Sequence, residues 1–365
     1  MTQSLAANTP IKYSLKLVEI LYNDTMYTKV TNTNYEGEIK NEGDRVRVRT
    51  LGKITLSAYT KSMTLVGQEL APTYEDLIVD QMYYFKFNVD DVDKLQNDVD
   101  TIAEYASISR RDIAELIDTN LLSYMRKNVH GDNALGTAYA TGTVSIAATT
   151  GVVTGSGTTF TAAMVGGYLN IPALGTDYYL VTAYSSATSI TVLDLDGVAY
   201  TGGVYSTSTA YNINAATHAA LSKSTIYDKL VDVSTALGEK KTPEEGRFII
   251  VNSKFKGALR KAPEFIPAVN NAYTDVVLGA SIGEIAGFRV FTSELVDGDN
   301  TTGYWYVAGT RDYCAMALQI LKVSMVSSDQ DPTSFNTTVK GLAVWGRKVF
   351  EGNRGRGAVL RATIS

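Results

Sequence analysis

A strand followed by a long helical pattern constrains the fold of this 365-residue chain more than any other feature. The strand runs from Tyr83 to Val89, and a helical pattern continues from it to Asn128. Apolar or small residues recur there at steps of three and four, which is the period of one helix face. They are Val99, Ile102, Ala103, Ala106, Ile113, Ala114, Ile117, Leu121 and Met125. About 29 residues at about 1.5 Å each give a rod on the order of 43 Å, which can act as a spine onto which separate lobes dock.

The ends of this helix also have sequence signals. Thr101 and Glu104 have the spacing of a capping box, and Asp98 is a second possible N-cap. Gly131 is a plausible stop. The aspartates between the strand and the helix are explained by the helix dipole, which favours carboxylates at a helix start.

Composition excludes several classes of protein. The hydrophobic content of 45% is ample for real cores, and the net charge of −5 argues against a protein that wraps nucleic acid. Cys314 is the single cysteine, so no internal disulfide can form. The first ten residues lack a basic region and a long apolar run, so we expect no signal peptide. The sequence contains no run of about 18 apolar residues, so we predict no membrane-spanning segment.

A strongly charged segment precedes the spine. It carries acidic residues at Glu36, Glu38 and Glu42, and basic residues alternate with valines at Arg45, Arg47 and Arg49. Alternation with period two predicts a strand with one basic face. We therefore predict a hairpin over residues 35–62 with an acidic incoming side and a basic outgoing side. Such a face is either solvated or pairs with a complementary surface on another subunit, and we favour the subunit interface, with these six residues forming it. A short amphipathic helix is expected before this segment, near residues 11–22.

A change of composition marks the middle of the chain. Between Lys127 and Lys223 there is no lysine or arginine, and the segment is rich in Gly, Thr, Ser, Ala and Tyr. Strand-sized runs of β-branched and aromatic residues alternate with glycines, which predicts a small all-β sandwich or barrel near residues 137–214. A disordered linker is the alternative, but the regular Tyr, Val and Ile content argues against it.

The remaining sequence predicts a mixed α/β lobe. Ile226, Leu230, Val233 and Leu237 form a helical stripe after Thr225. A buried strand follows at 247–251, then a short helix capped by Ser253. Residues 283–296 predict a strand after a glycine-rich turn, and residues 304–320 predict a strand followed by a helix.

The residues do not assemble a catalytic set, so we expect no enzyme activity, no cofactor and no metal. The histidines, His130 and His218, flank the β-rich segment and are interpreted as loop residues. Cys314 lies in an apolar run without an activating base and is interpreted as a core residue. The glycine-rich basic segment 352–357 is interpreted as a flexible turn, with weak nucleic-acid contact as the alternative.

Several segments resemble one protein family. "NYEGEIKNEGDRVRVR" (34–49) and "LIVDQMYYFKFNVDDVDKLQND" (77–98) resemble tailed-phage major capsid proteins of the HK97-like fold, in the subgroup related to the P22 coat protein. "EEGRFIIVNSKF", "IGEIAGFRVFTSELV" and "AGTRDYCAMALQI" are similar to the A-domain of that family. "VKGLAVWGRKVFEGNRGRGAVLRA" (339–362) is similar to its C-terminal P-domain strands, and "VVTGSGTTFTAAMVGGYLNI" resembles a small β module of phage virion proteins.

The resemblance implies an α+β fold with family-specific parts. These are an N-terminal arm (1–34), an E-loop hairpin (35–76), the P-domain strand and spine helix (77–136), an inserted β domain (137–214), an A-domain (215–335) and C-terminal P-domain strands (336–365). It also implies a coat protein that assembles with itself, as hexamers and pentamers, into an icosahedral head around double-stranded DNA. Assembly would take place in the host cytoplasm with scaffolding and portal proteins, and a decoration protein is a further possible partner. The shell would contact DNA non-specifically, and no membrane would be involved.

Two other functions remain open at this point. An encapsulin-like nanocompartment shares the fold, although the charged segments and the β-rich insert argue against it. A β-rich adhesin or glycan-binding module with a helical stalk would use the tyrosines of residues 137–214 and would never form shells.

Overall fold

A computed structural model of the chain describes most of its residues. The described ranges are 26–36, 45–50, 54, 56–64, 67–68, 72–90, 101–147, 149–175, 177–202, 205–262, 284–326 and 336–364. The fold is mixed α+β and rich in strands, and it divides into two compact units. The first takes its described residues from Asn32–Ile113 and Ala315–Phe350, and the second from Thr25–Thr31, Ala114–Cys314 and Glu351–Ser365.

The described elements are numbered in chain order. The helices are α1 (Tyr27–Val30), α2 (Thr101–Lys127), α3 (Ile226–Glu239) and α4 (Ser253–Arg260). The strands up to the end of the β-rich segment are β1 (Arg45–Thr50), β2 (Thr73–Ile78), β3 (Gln81–Asp90), β4 (Ala134–Leu135), β5 (Thr137–Tyr139), β6 (Thr143–Ile146), β7 (Val152–Ser156), β8 (Tyr168–Asn170), β9 (Tyr178–Ser186), β10 (Ser189–Asp194), β11 (Tyr205–Thr209) and β12 (Asn212–Thr217). The later strands are β13 (Ala219–Leu221), β14 (Phe248–Val251), β15 (Glu284–Ile285), β16 (Phe288–Thr292), β17 (Gly298–Asp299), β18 (Gly303–Gly309), β19 (Ala315–Val326), β20 (Asn336–Lys348) and β21 (Gly357–Ile364).

The first unit contains a hairpin and a sheet. Strands β1 and β2 pair antiparallel, and β3 pairs with the middle strand of the three-stranded order β19-β20-β3. Buried apolar side chains of the hairpin and the sheet form one cluster, because valines and leucines alternate with polar residues along the strands. The cluster consists of Leu77, Val79, Ala315, Ala317, Val344 and Phe350.

Strands β1 and β2 form the hairpin that the structure describes. The basic strand β1 pairs with Thr73–Ile78, a partner that the sequence analysis did not predict, since it placed the acidic segment opposite the basic strand. Strand β2 supplies the buried Leu77 and pairs with β1 over six residues. The prediction rested on Glu38 and Glu42, which lie outside the described residues, as does the helix expected near 11–22.

The predicted strand and spine helix are both present. The strand spans Gln81–Asp90, and α2 runs for 27 residues from Thr101 to Lys127. The buried residues of α2 follow the predicted stripe over the part whose side chains are described, and they are Ile113, Ala114, Ile117, Leu121, Leu122 and Met125. The proposed cap at Asp98 and the aspartates at positions 91 and 93 lie outside the described residues.

The β-rich segment folds as one antiparallel sheet of eight strands. The strand order is β11-β6-β7-β10-β9-β8-β12-β5, so every strand comes from residues 137–217. The sheet has its own buried core, in which Val153, Ile190, Val192 and Ile213 are fully buried beside Phe160 and several tyrosines. The two ends of the segment are adjacent, because Thr137 pairs with Thr217.

The second sheet of the second unit mixes parallel and antiparallel pairs. Its order is β13-β21-β18-β14-β16-β15. The predicted stripe of α3 is confirmed, since Ile226, Leu230, Val233 and Leu237 are all buried. The strand at 248–251 is fully buried, as predicted. The N-cap of α4 is Asn252, whose side-chain oxygen accepts from the Phe255 N–H at 2.9 Å, so the prediction of Ser253 as the cap was wrong.

The helix predicted at the end of residues 304–320 is a strand. After β18 and one short 3-10 turn at Arg311–Tyr313, residues Ala315–Val326 form β19, which pairs with β20 along its length. Ala, Met, Leu and Gln are good helix formers. Pairing with β20 and burial of Ala315 and Ala317 in the core outweigh that local preference.

The C-terminal residues form the predicted strands but divide between two sheets. Strand β20 lies between β19 and β3, whereas β21 pairs with β18 and β13 in the second unit. A 3-10 segment, Glu351–Arg356, separates them.

Candidate assembly surfaces

The basic face of β1 is matched by a carboxylate of the same hairpin. Arg47 donates from Nε and Nη2 to the two oxygens of Asp76, at 2.8 and 3.0 Å, and Arg45 Nη1 lies 3.6 Å from the same carboxylate. The hydrogen bond from Arg47 lowers the pKa of Asp76 below its usual value. One acidic side chain therefore serves two arginines of the strand.

The third arginine has a different neighbour. Arg49 lies opposite Tyr74 and, among the described residues, has no carboxylate within salt-bridge distance. Glu36 is half-buried in the first unit, and Glu38 and Glu42 lie outside the described residues. A subunit interface formed by these six residues stays a prediction.

Exposed apolar side chains concentrate in residues 54–84 of the first unit. Leu56 is 92% exposed and Tyr84 is 83% exposed. The others in this stretch are Ile54, Tyr59, Met63, Tyr74, Ile78, Met82 and Tyr83. Scattered single residues of this kind are ordinary, but a concentration in one segment is typical of interaction surfaces. Sequence reasoning looked at the charges of this segment and missed its apolar side chains.

One face of the three-stranded sheet combines apolar and basic residues. Tyr84 lies opposite Leu342, and Lys86 lies directly opposite Lys340, with all four side chains exposed. Lysines facing each other on neighbouring strands destabilise a sheet unless an anion lies between them. This face therefore suits a partner with carboxylates and apolar side chains.

A buried arginine–tryptophan stack lies in the second unit. The guanidinium carbons of Arg126 and Arg361 lie 4.2 and 4.6 Å from the centroid of Trp305. Arg361 is 2% exposed and donates to the carbonyls of Ala215, Ala216 and Thr302. Burial lowers the pKa of Arg361 to about 10, so it remains charged at neutral pH. Arg126 pairs with Asp297, and its carbonyl accepts from the Tyr168 hydroxyl.

A second polar cluster lies where the eight-stranded sheet begins. Asp132 accepts from Lys240 and from the Tyr178 hydroxyl. Burial would raise the pKa of Asp132, but these hydrogen bonds outweigh it and the pKa is lowered. Burial, with Lys240 nearby, lowers the pKa of His130, whose Nδ1 accepts from the Asp132 N–H at 3.3 Å. His130 is therefore neutral at pH 7 and is a structural residue of this junction.

The glycine-rich basic segment is held by ion pairs. Arg354 lies 2.7 Å from Asp196, and Arg356 lies 3.2 Å from Asp312. The Arg354 carbonyl accepts from the His130 N–H at 3.2 Å. The segment is thus an ordered 3-10 turn, and its arginines bind carboxylates of the chain itself, which disfavours the nucleic-acid alternative.

A buried carboxylate joins α1 to α2. The Asp118 oxygens accept from the Met26 N–H at 3.0 and 3.2 Å, and the side chain is 6% exposed. Burial raises the pKa of Asp118 to about 6. In the sequence, Asp118 lies between the apolar positions of the helical stripe, so the pattern did not predict that its side chain is buried.

No arrangement suited to catalysis is visible among the described residues. Cys314 is fully buried among apolar side chains, as predicted. Within the described ranges, no group of three or more His, Cys, Asp or Glu residues could hold a metal ion. Across those ranges, no helix is long and apolar enough to cross a membrane.

Comparisons with known proteins indicate the class to which the chain is similar. A family model described as phage capsid protein matches residues 180–360. No curated protein matches the chain. A solved structure of Mycobacterium phage Che8 is similar with a TM-score of 0.58 at 18% identity, covering 92% of this chain and 90% of that one. The capsid structure of cyanophage P-SCSP1u gives 0.57 at 13%, covering 93% and 89%, and the mature capsid of bacteriophage PhiM1 gives 0.50 at 11%, covering 91% and 87%.

At these identities the solved structures show a shared fold only. The match to the family model indicates the class of protein. The chain is a phage capsid protein, a structural component of the virion. More particularly, it is a major capsid protein that forms the head, and proteins of this class assemble with copies of themselves into shells. The match to a phage family favours this function over the nanocompartment and the adhesin.

Proposed function

We propose that the chain forms an icosahedral head of HK97-like subunits, in the subgroup related to the P22 coat protein, with residues 137–214 as an inserted β domain. The concentration of exposed apolar side chains in residues 54–84 carries this proposal, because an isolated subunit would leave them in water. In the proposed assignment, residues 35–76 form the E-loop, residues 77–136 the P-domain strand and spine, residues 215–335 the A-domain and residues 336–365 the C-terminal strands.

The charged hairpin, residues 45–78, would reach a neighbouring subunit. Arg47 already has Asp76 as a partner, so the arginine face does not need a neighbour to avoid repulsion. Arg49 and the exposed Tyr74 beside it are the better candidates for contacts between copies. One hairpin can then keep its shape in pentamers and hexamers while its outer residues meet slightly different surfaces.

Charge reversal tests this hairpin. The variant carrying Arg45→Glu, Arg47→Glu and Arg49→Glu should fold but form no particles, as judged by electron microscopy of the purified protein. Because reversal also breaks the pair with Asp76, a second variant adds Asp76→Arg and restores a pair within the hairpin. Assembly should remain blocked in the second variant, and normal particles from either variant would refute an interface at these arginines.

The inserted domain would lie on the outer face of the shell and be dispensable for the lattice. Its ends are adjacent at Thr137 and Thr217, so the surrounding chain could close without it. Its lack of lysine and arginine suits an outer face better than a DNA-filled interior. Replacement of residues 137–214 by a short Gly-Ser linker keeps Ala215 and Ala216, whose carbonyls bind Arg361.

Two results would support this view of the insert. The excised segment should fold alone, and the deletion variant should still form shells of normal curvature. An unfolded segment together with an insoluble deletion variant would show that the segment is part of the core.

Other partners follow from the proposed assembly. We expect formation of the shell in the host cytoplasm with scaffolding and portal proteins, enclosure of double-stranded DNA without sequence specificity, and a decoration protein as one possible ligand of the outer domain. A gel assay with purified subunits should show no sequence-dependent duplex binding at physiological salt.

A further inference from the structure

Three lysines surround a shallow cavity in the second unit. Lys254, Gly257, Ala258 and Lys261 recur at helical spacing and share one face of α4 and its C-cap. Lys223, which follows β13, lines the same cavity of about 670 Å³. Phe255 and Leu259 on the opposite side of α4 are buried, so packing holds the lysine face outward.

These lysines differ from Lys229 and Lys240 of the same unit, which form ion pairs with carboxylates among the described residues. Lys229 pairs with Asp232 at 2.6 Å, and Lys240 pairs with Asp132. Within the described ranges, none of the three cavity lysines has a carboxylate within salt-bridge distance. Lys254 donates to the neutral side chain of Asn300 at 2.9 Å. This hydrogen bond positions the ammonium group and does not neutralise its charge.

One acidic residue does lie close to this face. The carboxylate of Glu294 accepts from the Ser253 N–H at 2.8 Å and interacts with Lys254 through space. Hydrogen bonding from the Ser253 side chain and N–H, with a smaller effect of Lys254, lowers the pKa of Glu294. Among the described residues, three lysines and one carboxylate lie at the cavity, so positive charge predominates there in a chain whose net charge is −5.

The floor of the cavity admits a bulky anionic group. A Cβ built on Gly257 would meet no atom within 4 Å, so the space above the helix is open. Among residues 205–262, Val231 is the one exposed large apolar side chain in the described structure. Protein interfaces have an apolar centre, whereas phosphate groups are bound by cations and open backbone. The lining also includes Ile364, so the positive charge of the three lysines is the feature that favours phosphate groups here.

We propose that Lys223, Lys254 and Lys261 contact the phosphate backbone of the packaged duplex, independently of its sequence. This inference rests on the proposed function, since it identifies where a shell that encloses DNA would touch it. Lysine ammonium groups contact single phosphates without reading bases. The contact should therefore be weak for one subunit, strongly salt-dependent, and repeated over all copies of the shell.

The test compares the full-length subunit with a variant carrying Lys223→Gln, Lys254→Gln and Lys261→Gln. Binding to a fluorescent duplex of scrambled sequence is measured by anisotropy between 50 and 200 mM salt. Each neutralised phosphate contributes about 0.9 to the slope of log affinity against log salt, so the variant's slope should be shallower by about 2.7. Over that range the wild-type affinity should fall roughly 40-fold more than that of the variant.

A matched control removes the same charge elsewhere in the unit, with Lys127→Gln, Lys229→Gln and Lys241→Gln, and should keep the wild-type slope. Poly-glutamate serves as a second probe. The inference is overturned if the cavity variant binds duplex with the wild-type slope, if the control loses as much, or if the cavity variant loses poly-glutamate binding alone.

Electron microscopy separates this inference from the proposed function. The cavity variant should form normal shells, because it retains the hairpin and all buried residues. Shells with reduced duplex affinity support both proposals. Shells with unchanged duplex affinity overturn only the phosphate contact, and a wild-type chain that forms no shells refutes the proposed function whatever the binding result.

Discussion

Arginines do different work in two regions of this protein. On the charged hairpin of the first unit, Arg47 and Arg45 share Asp76 on an exposed surface. In the second unit, Arg361 is buried against Trp305 and its donors reach carbonyl oxygens of the backbone. The exposed pair is screened by water and salt. The buried guanidinium donates to backbone carbonyls in a place that water does not reach easily, so its removal should cost more than the removal of an exposed pair.

The comparison indicates which arginines can be substituted without a loss of stability. We expect the hairpin to stay folded when its charges are changed. We expect the arginine–tryptophan stack to tolerate no such change, because Arg361 joins β21 to the end of the β-rich segment through Ala215 and Ala216. The four predictions below probe that difference, from the largest expected effect to the smallest.

Replacement of Arg361 should have the largest effect on stability. Arg361→Met keeps the apolar contact with Trp305 and removes the donors to three carbonyls. We expect a loss of about 3–5 kcal/mol in the free energy of unfolding, because buried acceptors are left unsatisfied. Urea unfolding of the unassembled subunit measures this, with Arg356→Met, which breaks an exposed pair, as the control. A loss under about 1 kcal/mol for Arg361→Met would contradict the comparison.

The buried carboxylate of Asp118 should make stability depend on pH. Its pKa is raised to about 6 in the folded chain, against an unfolded value near 3.8. The unfolded state therefore releases this proton first, and the stability that Asp118 contributes is lost as the pH rises from about 4 through 6. At about 1.4 kcal/mol per pKa unit the difference approaches about 3 kcal/mol.

Asp118→Asn should remove this dependence, because the amide oxygen can still accept from Met26 and cannot ionise. The variant should match the wild type near pH 4 and exceed its unfolding free energy by about 3 kcal/mol at pH 7. Urea curves at several pH values decide the matter. Parallel pH profiles of the two proteins would show that Asp118 ionises freely in the fold.

The hydroxyl of Tyr313 should have a smaller effect. It donates to the Met125 carbonyl in the last turns of α2, and Tyr313 is fully buried. Tyr313→Phe keeps the ring and leaves that carbonyl with one donor fewer, which should cost about 1 kcal/mol. Thermal and urea unfolding of the variant check this, and a loss above about 3 kcal/mol would mean that the ring itself repacks.

Neutralisation of Arg47 should have the smallest effect on folding. Arg47 is exposed to solvent and Asp76 is partly exposed, so Arg47→Gln should leave the urea midpoint nearly unchanged. Particle formation should also persist, because a single change leaves the other arginines in place. A marked loss of stability would show that the hairpin depends on this pair and would weaken the contrast with Arg361.

The sequence predicted the elements that have a strong period or composition. The stripes of α2 and α3 led to two helices that are present in the structure. The change of composition led to the prediction of an all-β sandwich or barrel near residues 137–214, where the structure has one eight-stranded sheet. Strand β19 was mistaken for a helix, because its residues favour helices locally and its pairing with β20 is a tertiary effect. The stack of Arg126, Trp305 and Arg361 had no local signal, since residues so distant in sequence meet only in the fold.

The central claim is that this chain closes into an icosahedral shell through its charged hairpin. Cryo-electron microscopy of particles assembled from the purified protein, alone or with the neighbouring gene products, tests it most directly. We expect closed shells of pentamers and hexamers in which Arg49, Tyr74 and the apolar side chains of residues 54–63 contact an adjacent subunit. Closed shells in which residues 45–78 face only solvent, or a protein that forms no shell at all, would contradict the account.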